Sequence, residues 1–131
     1  MTAASGRPLR CGAAIGLQEH EVYRALQFDR TGLSTLRDVM FAPGCYLEQH
    51  NGEHHALVLE LPGPRSGAVW AVWRTGHRPY FLVLPDCPAI SADRREDACG
   101  GYRGHPGAHA WELYLGRVGV PARGRNLRAA T

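Results

Sequence analysis

The chain has 131 residues, the size of a single domain with a core of its own. All 15 basic side chains are arginine, and with 12 acidic residues the formal net charge is +3. The lack of lysine, with abundant alanine and glycine, indicates a GC-rich genome, so we expect a bacterial, phage or DNA-virus source. No stretch approaches the roughly 20 apolar residues of a membrane span, and the start has no apolar region of secretory length. We therefore expect an intracellular, cytoplasmic protein with no membrane partner.

The arginine distribution does not favour a nucleic-acid-binding surface. Acidic residues are interleaved with arginine through the body of the chain, so the positive surplus is concentrated in the two ends. Clustered arginines supply the phosphate contacts on which nucleic-acid affinity depends. A nucleic-acid-associated protein acting through its Arg-rich termini therefore remains a second alternative. The arginines concerned are Arg7, Arg10, Arg117, Arg123, Arg125 and Arg128.

Composition divides the chain into one domain and two tails. Residues 1–10 are small and polar and are expected to be disordered, and residues 121–131 form a basic flexible tail. The single α+β domain spans residues 11–120. Within it, residues 86–109 are rich in charge, glycine and proline and predict a long loop, of the kind that is usually functional or disordered. No internal repeat is evident.

Two helices are predicted before the loop. Apolar residues recur at helical spacing over residues 17–28, with acidic residues in the first turn, where they suit the helix dipole. A strand over residues 26–28 is the competing interpretation. A second apolar stripe over residues 33–40 ends at Ala42-Pro43-Gly44, a sequence typical of a helix stop.

A β-meander follows the helices. Strands are predicted at residues 45–50, 53–61, 68–74 and 79–84, and Asn51-Gly52 favours a tight hairpin between the first two. A last strand is predicted at residues 110–115. The fold class is therefore α+β, with one or two N-terminal helices packed on a four- to five-stranded antiparallel sheet.

The predicted sheet carries apolar side chains on both faces. Trp73 and Trp70 alternate along one strand and so point to opposite sides. We expect the helices to cover one face and either another part of the fold or a partner to cover the other. The candidate partner-binding residues are Trp70, Trp73 and Tyr80, and the expected partner is another protein or a second copy of the chain.

Four cysteines and seven histidines make metal binding the first chemistry to weigh. Two cysteines and two histidines lie in the long loop, where a tetrahedral zinc ion would fix the loop. The His105 to His109 spacing suits a zinc site, whereas the interval from Cys87 to Cys99 is long for one. Zinc is therefore a possible cofactor, ordinary loop residues are the alternative, and free thiols are favoured over disulfides. The candidate metal ligands are Cys87, Cys99, His105 and His109.

A second histidine cluster surrounds the Asn-Gly turn. His50, His54 and His55 lie close together in sequence, but in a regular hairpin at most two of them share a face, so exposed turn histidines are the simpler interpretation. Cys45 is expected to be a core residue and a poor nucleophile, because it follows the end of a predicted helix. No catalytic signature or glycine-rich phosphate loop is present, so the sequence favours a non-enzymatic protein.

Residues 67–82, Gly-Ala-Val-Trp-Ala-Val-Trp-Arg-Thr-Gly-His-Arg-Pro-Tyr-Phe-Leu, resemble the glycine, valine and aromatic hairpin of the SUKH superfamily. That superfamily includes bacterial toxin-immunity proteins and herpesvirus relatives, and the resemblance implies a protein that binds and inhibits a partner. It covers a short part of the chain, and we assign no membership. The function predicted is a non-enzymatic protein-binding or regulatory domain, such as an accessory, inhibitor or immunity-like protein. The alternative is a small zinc-binding protein or Cys/His enzyme that uses residues 86–109.

Overall fold

The computed structural model describes residues 9–64, 66–92 and 97–113. Several predictions from the sequence lie outside those residues. They are the disorder of residues 1–8, the basic tail at 121–131 and the end of the strand predicted at 110–115. The fold is α+β, as predicted.

A three-stranded antiparallel sheet forms the centre of the fold. Its strands are β1 (His54–Glu60), β2 (Ala68–Trp73) and β3 (Tyr80–Leu84), in the spatial order β1-β2-β3. The pairing register shifts between Leu57 and Leu59, where β1 carries an irregularity. Three of the predicted strands are thus confirmed, because each combines β-branched or aromatic residues with flanking turn residues.

β2 is the central strand and is buried along its whole length. All six of its residues are buried, so both faces of this strand are covered within the chain itself. The core that covers it includes Ile15, Val22 and Val39 from the N-terminal part of the chain. The second apolar face therefore needs no partner along β2.

One α-helix, α1 (Glu19–Leu26), packs against the sheet. The side chain of Glu21 accepts a hydrogen bond from the backbone N–H of Gln18 (2.8 Å), which satisfies a donor that the start of a helix leaves free. Val22 and Ala25 are buried on its inner side. Among the described residues, no helix is long and apolar enough to cross a membrane.

The second predicted helix is wrong. Residues 33–40 contain only a short 3-10 turn, Leu36–Asp38, and Leu33 and Met40 remain 71% and 53% exposed. The backbone N–H of Met40 donates to Val58 O in β1 (2.9 Å), so the end of this segment is tied to the sheet instead of continuing a helix. An apolar stripe forms a helix only where it finds a core to pack on, and of this stripe only Val39 reaches the core.

The sheet has fewer strands than predicted. The expected four to five strands are three among the described residues, because residues 45–50 make only isolated bridge contacts and Ala110–Glu112 is a 3-10 turn. Residues 43–49 pair instead with residues 9–15, far away in sequence. This long-range pairing brings Cys11 and Cys45 close together.

Candidate metal centres

Two cysteines and two histidines converge at the start of the β1 strand. Their four ligand atoms all lie within 4.8 Å of one another. Cys45 is 1% exposed, and His54 is the first residue of β1. We call this group centre 1; its members are Cys11, Cys45, His50 and His54.

A second group with the same composition lies in the loop that follows β3. Its four ligand atoms also fall within 4.8 Å of one another. Cys99 and Cys87 are 2% and 9% exposed. We call this group centre 2; its members are Cys87, Cys99, His105 and His109, the four residues predicted as metal ligands from the sequence.

The sulfur-to-nitrogen distances in both centres are those of a zinc tetrahedron. In centre 1, Cys11 Sγ lies 3.5 Å from His54 Nδ1, and Cys45 Sγ lies 3.3 Å from His50 Nε2. With Zn–S near 2.3 Å and Zn–N near 2.0 Å, tetrahedral angles place sulfur and nitrogen about 3.5 Å apart. These Cys–His distances thus match a shared zinc ion, and all four ligand atoms of a centre lie within 4.8 Å of one another.

Centre 2 repeats these contacts with the same atoms. Cys87 Sγ lies 3.6 Å from His109 Nδ1, and Cys99 Sγ lies 3.4 Å from His105 Nε2. In each centre the first histidine thus presents Nε2 and the second presents Nδ1. The two imidazole rings also contact each other in both centres, with centroids 5.1 and 5.2 Å apart.

The Nε2 histidine of each centre is oriented by the same second contact. His50 Nδ1 lies 3.0 Å from the carbonyl oxygen of Asn51, and His105 Nδ1 lies 3.1 Å from that of Pro106. A proton on Nδ1 donates to this carbonyl and leaves the Nε2 lone pair free for a metal. Metal-bound histidines usually have such a partner on the second ring nitrogen.

The backbone around the two centres is built on one plan. In each centre the first cysteine N–H donates to the carbonyl two residues after the second cysteine, as in Cys11 to Leu47 (2.7 Å) and Cys87 to Gly101 (3.0 Å). Three further backbone bonds match in the same way. The N–H of Cys45 donates to the carbonyl of Ala13, as that of Cys99 donates to Ala89. In the same way Ile15 donates to Pro43 as Ser91 does to Asp97, and Gln49 donates to Leu9 as Arg103 does to Pro85.

The isolated bridges match as well. Arg10 pairs with Glu48 as Asp86 pairs with Tyr102, and Ala14 pairs with Gly44 as Ile90 pairs with Ala98. Every position keeps its offset from the cysteines. The chain therefore contains a structural repeat that the sequence did not reveal, and the first copy carries α1 as an insertion between its two cysteines.

A short motif marks both copies. The two histidines of each centre are the first and last residues of a His-x-Gly-x-His motif. The central glycines, Gly52 and Gly107, have positive φ, +97° and +77°. Glycine adopts this conformation without steric cost, so the chain reverses and brings the second imidazole back beside the first. A cysteine five or six positions before this motif is the sequence signal that would have identified both centres.

Burial disfavours the charged form of the thiols. It raises the pKa of Cys45 to about 11, with the neighbouring Cys11 adding to the effect, and it raises the pKa of Cys99. Burial also lowers the pKa of His54. Two thiolates with two neutral histidines would balance one divalent cation, so a filled centre carries no net charge.

The other predicted histidine and aromatic residues lie elsewhere. His55 points away from centre 1 and stacks on Tyr102, with ring centroids 5.0 Å apart. Trp70 and Trp73 are 1% and 5% exposed and pack in the core. Of the three residues predicted to bind a partner, Tyr80 alone is on the surface, at 48% exposed.

No protein-family model, curated protein or solved structure matches this chain. The resemblance of residues 67–82 to the SUKH hairpin therefore has no further support. The two centres are the feature of this chain that indicates a function.

Proposed function

We propose that this protein is a non-enzymatic zinc-binding domain with two structural Cys2His2 centres. The observation that carries the proposal is the convergence of all four cysteines with four histidines into two groups of identical geometry. A chance encounter of loop side chains would not reproduce the same ligand atoms, the same oriented imidazole and the same backbone pairing twice.

Zinc is the ion that fits this ligand set. Tetrahedral sites with two sulfur and two nitrogen ligands are typical of zinc, whereas calcium and magnesium require oxygen ligands. The alternative is that each cysteine merely donates a weak S–H hydrogen bond to its histidine. A weak S–H hydrogen bond offsets little of the free-energy cost of burying Cys45 and Cys99 beside imidazoles. Metal coordination, by contrast, contributes folding free energy directly.

The centres have the composition of structural rather than catalytic sites. Catalytic zinc keeps a position open for water or substrate, but here four protein side chains complete the tetrahedron. Among the described residues, regular structure amounts to one α-helix of eight residues, three short strands and two 3-10 turns. Metal coordination would therefore hold the segments that pair around each centre.

The test is the metal content of the full-length, untagged protein, measured by elemental analysis together with native mass spectrometry. We expect two zinc ions per chain. Cys45→Ser and Cys99→Ser should each reduce the content to about one, while His20→Ala and His77→Ala, at exposed histidines outside both centres, should leave two. Metal-free protein with unchanged near-UV circular dichroism and melting temperature would overturn the proposal.

We also propose that the domain acts by binding another protein through the outer side of β3. Among the described residues β3 pairs only with β2, so it is an edge strand. Tyr80, Leu82 and Val83 are 48%, 39% and 44% exposed there, and an exposed edge strand is a template for an added strand.

A photocrosslinking amino acid at Tyr80 tests this second proposal in the native host. Tyr23, on α1, is the matched control because it is 47% exposed. We expect one defined adduct from position 80 that Leu82→Glu removes, and none from position 23. Equal adducts from both positions, or none from either, would contradict a docking site on β3.

A further inference from the structure

Glu48 connects the two centres through a hydrogen bond. It lies three positions after Cys45, within the paired segment that positions centre 1. Its Oε1 accepts a hydrogen bond from the backbone N–H of Ala108 (2.9 Å), the residue before His109. A carboxylate from one centre thus holds the histidine turn of the other.

The fit around this carboxylate is close. A Cβ placed on Gly107 would lie 2.8 Å from Glu48 Oε1 and 2.9 Å from Glu48 Cβ. Glu48 therefore packs directly on the turn that separates His105 from His109. A displacement of Glu48 would be transmitted to both histidines.

Tyr46 makes the second contact, one position after Cys45. Its hydroxyl oxygen accepts the backbone N–H of Gly100 (3.0 Å), the residue after Cys99, and this hydrogen bond is buried. The ring is fixed edge-on against Trp70, with centroids 5.9 Å apart. Tyr46 thus ties the cysteine segment of centre 1 to that of centre 2.

Tyr102 makes the third contact, in the opposite direction. It occupies in the second copy the position that Glu48 occupies in the first. Its ring stacks on His55, the residue after His54, with centroids 5.0 Å apart and planes at 29°. Each centre therefore supplies side chains that hold the ligand segments of the other.

We propose that the two metal centres are energetically coupled, so that an ion in one raises the affinity of the other. The inference rests on the proposed zinc function. An ion in centre 1 fixes the segment from Cys45 to His50, and with it Tyr46 and Glu48, which then hold the cysteine and histidine segments of centre 2. Linkage makes the effect reciprocal, and coupling between protein sites is typically about 5- to 150-fold.

A thermodynamic cycle measures the coupling factor. Native mass spectrometry in zinc buffers gives the overall two-zinc constant of the full chain. The single-centre constants come from Cys11→Ser/His54→Ala and Cys87→Ser/His109→Ala. The coupling factor is the overall constant divided by the product of the two single-centre constants, and we expect roughly 5 or more.

Removal of the contacts separates this coupling from a general effect of folding. The same cycle in a Tyr46→Phe/Glu48→Ala background should lower the factor by about half or more, because both hydrogen-bond acceptors are lost while all ligands and the stack of Tyr102 on His55 remain. Glu48→Gln, which keeps an acceptor oxygen, should retain most of the coupling. Tyr23→Phe and Glu19→Ala are the exposed controls and should leave it unchanged.

The outcomes distinguish the two proposals. Two bound zinc ions with a factor of 1 would overturn the coupling and leave the zinc function standing. A factor that is unchanged in Tyr46→Phe/Glu48→Ala would also overturn it, because the coupling would then not depend on the contacts of Tyr46 and Glu48. Absence of bound zinc would overturn the zinc function itself.

Discussion

The imidazole of His54 lies against the indole of Trp73, with ring centroids 5.2 Å apart. Centre 2 has a corresponding pair, because His109 stacks on Trp111 with centroids 5.0 Å apart and planes at 22°. Each centre therefore has its own tryptophan beside its Nδ1 ligand.

This arrangement predicts a separate optical signal for each centre. Cobalt(II) occupies the same type of nitrogen and sulfur site as zinc and absorbs in the visible range. In a chain with centre 2 disabled by Cys87→Ser/His109→Ala, cobalt should quench fluorescence mainly from Trp73. Trp73→Phe should then remove most of the quenching and Trp111→Phe should leave it. Equal effects of the two variants in a fluorescence titration would contradict the assignment.

Glu21 and Arg78 join α1 to the loop between β2 and β3. Arg78 Nε donates to Glu21 Oε2 (3.0 Å), and Arg78 also donates to the second carboxylate oxygen and to the carbonyl of Gly16. Glu21 is only 2% exposed. Glu21→Ala should lower the free energy of unfolding by about 1 kcal/mol in urea denaturation, because Arg78 and the Gln18 N–H lose a charged acceptor but are exposed enough to bond to water instead. Glu19→Ala, exposed in the same turn, is the control and should change it little.

The same pair predicts the sign of a pH effect. The hydrogen bond from Arg78 lowers the pKa of Glu21 below its ordinary value of 4.5, more than burial raises it. The carboxylate therefore stabilises the fold fully above that ordinary value, and this contribution is lost as the pH falls through the lowered pKa. The stability difference between the protein and Glu21→Gln should be constant between about pH 5 and 7 and shrink below 4.5. A difference that grows on acidification would contradict this.

The sequence predicted the parts of the fold that local patterns determine. β1, β2 and β3 each combine apolar alternation with a turn, and α1 combines an apolar stripe with acidic residues in its first turn. The 33–40 stripe shows the limit of such patterns. Its apolar residues have the spacing of a helix, but whether a stripe is buried depends on distant segments that no local pattern specifies.

The metal ligands show the same limit of local sequence patterns. Centre 2 was predicted because its four ligands lie within one loop. Centre 1 was missed because Cys11 is 34 positions before Cys45, and only the pairing of residues 9–15 with 43–49 brings them together. For the cluster of His50, His54 and His55 the sequence favours exposed turn histidines, because a regular hairpin at Asn51-Gly52 lets at most two of the three share a face. The observed turn instead brings the imidazoles of His50 and His54 to one side.

One methyl group added at Gly67 should lower the free energy of unfolding strongly. Gly67 has φ +77°, and a Cβ at this position would lie 2.5 Å from the carbonyl oxygen of Leu84. Gly67→Ala should therefore combine a left-handed backbone penalty with a clash, together about 3 kcal/mol of unfolding free energy. Gly32→Ala is the control, since Gly32 has φ +74° but open space around it, and should lose only about 1 kcal/mol. Equal losses in urea denaturation would show that the close approach to Leu84 is unimportant.

Gly107 and Gly52 occupy the same position in the two histidine turns but have different surroundings. A Cβ on Gly107 would lie 2.8 Å from Glu48 Oε1, whereas a Cβ on Gly52 would meet nothing within 4 Å. Both substitutions to alanine strain a positive φ, so each should weaken zinc binding at its own centre. Gly107→Ala should weaken zinc binding at centre 2 about tenfold more than Gly52→Ala weakens it at centre 1. Displacing the packed Glu48 side chain should cost about 1.4 kcal/mol more binding free energy, which corresponds to that tenfold difference in affinity.

Single-centre affinities measured in zinc buffers decide this comparison. Removing the obstructing side chain provides the matched control. Glu48→Gly, which removes both the carboxylate and the Cβ, should make Gly107→Ala no more harmful at centre 2 than Gly52→Ala is at centre 1. If Gly107→Ala and Gly52→Ala weakened their centres equally while Glu48 is present, the packing of Glu48 on the second histidine turn would be too loose to connect the centres. A larger effect at Gly52 would mean that the first turn is the more constrained of the two, in conflict with the space around it.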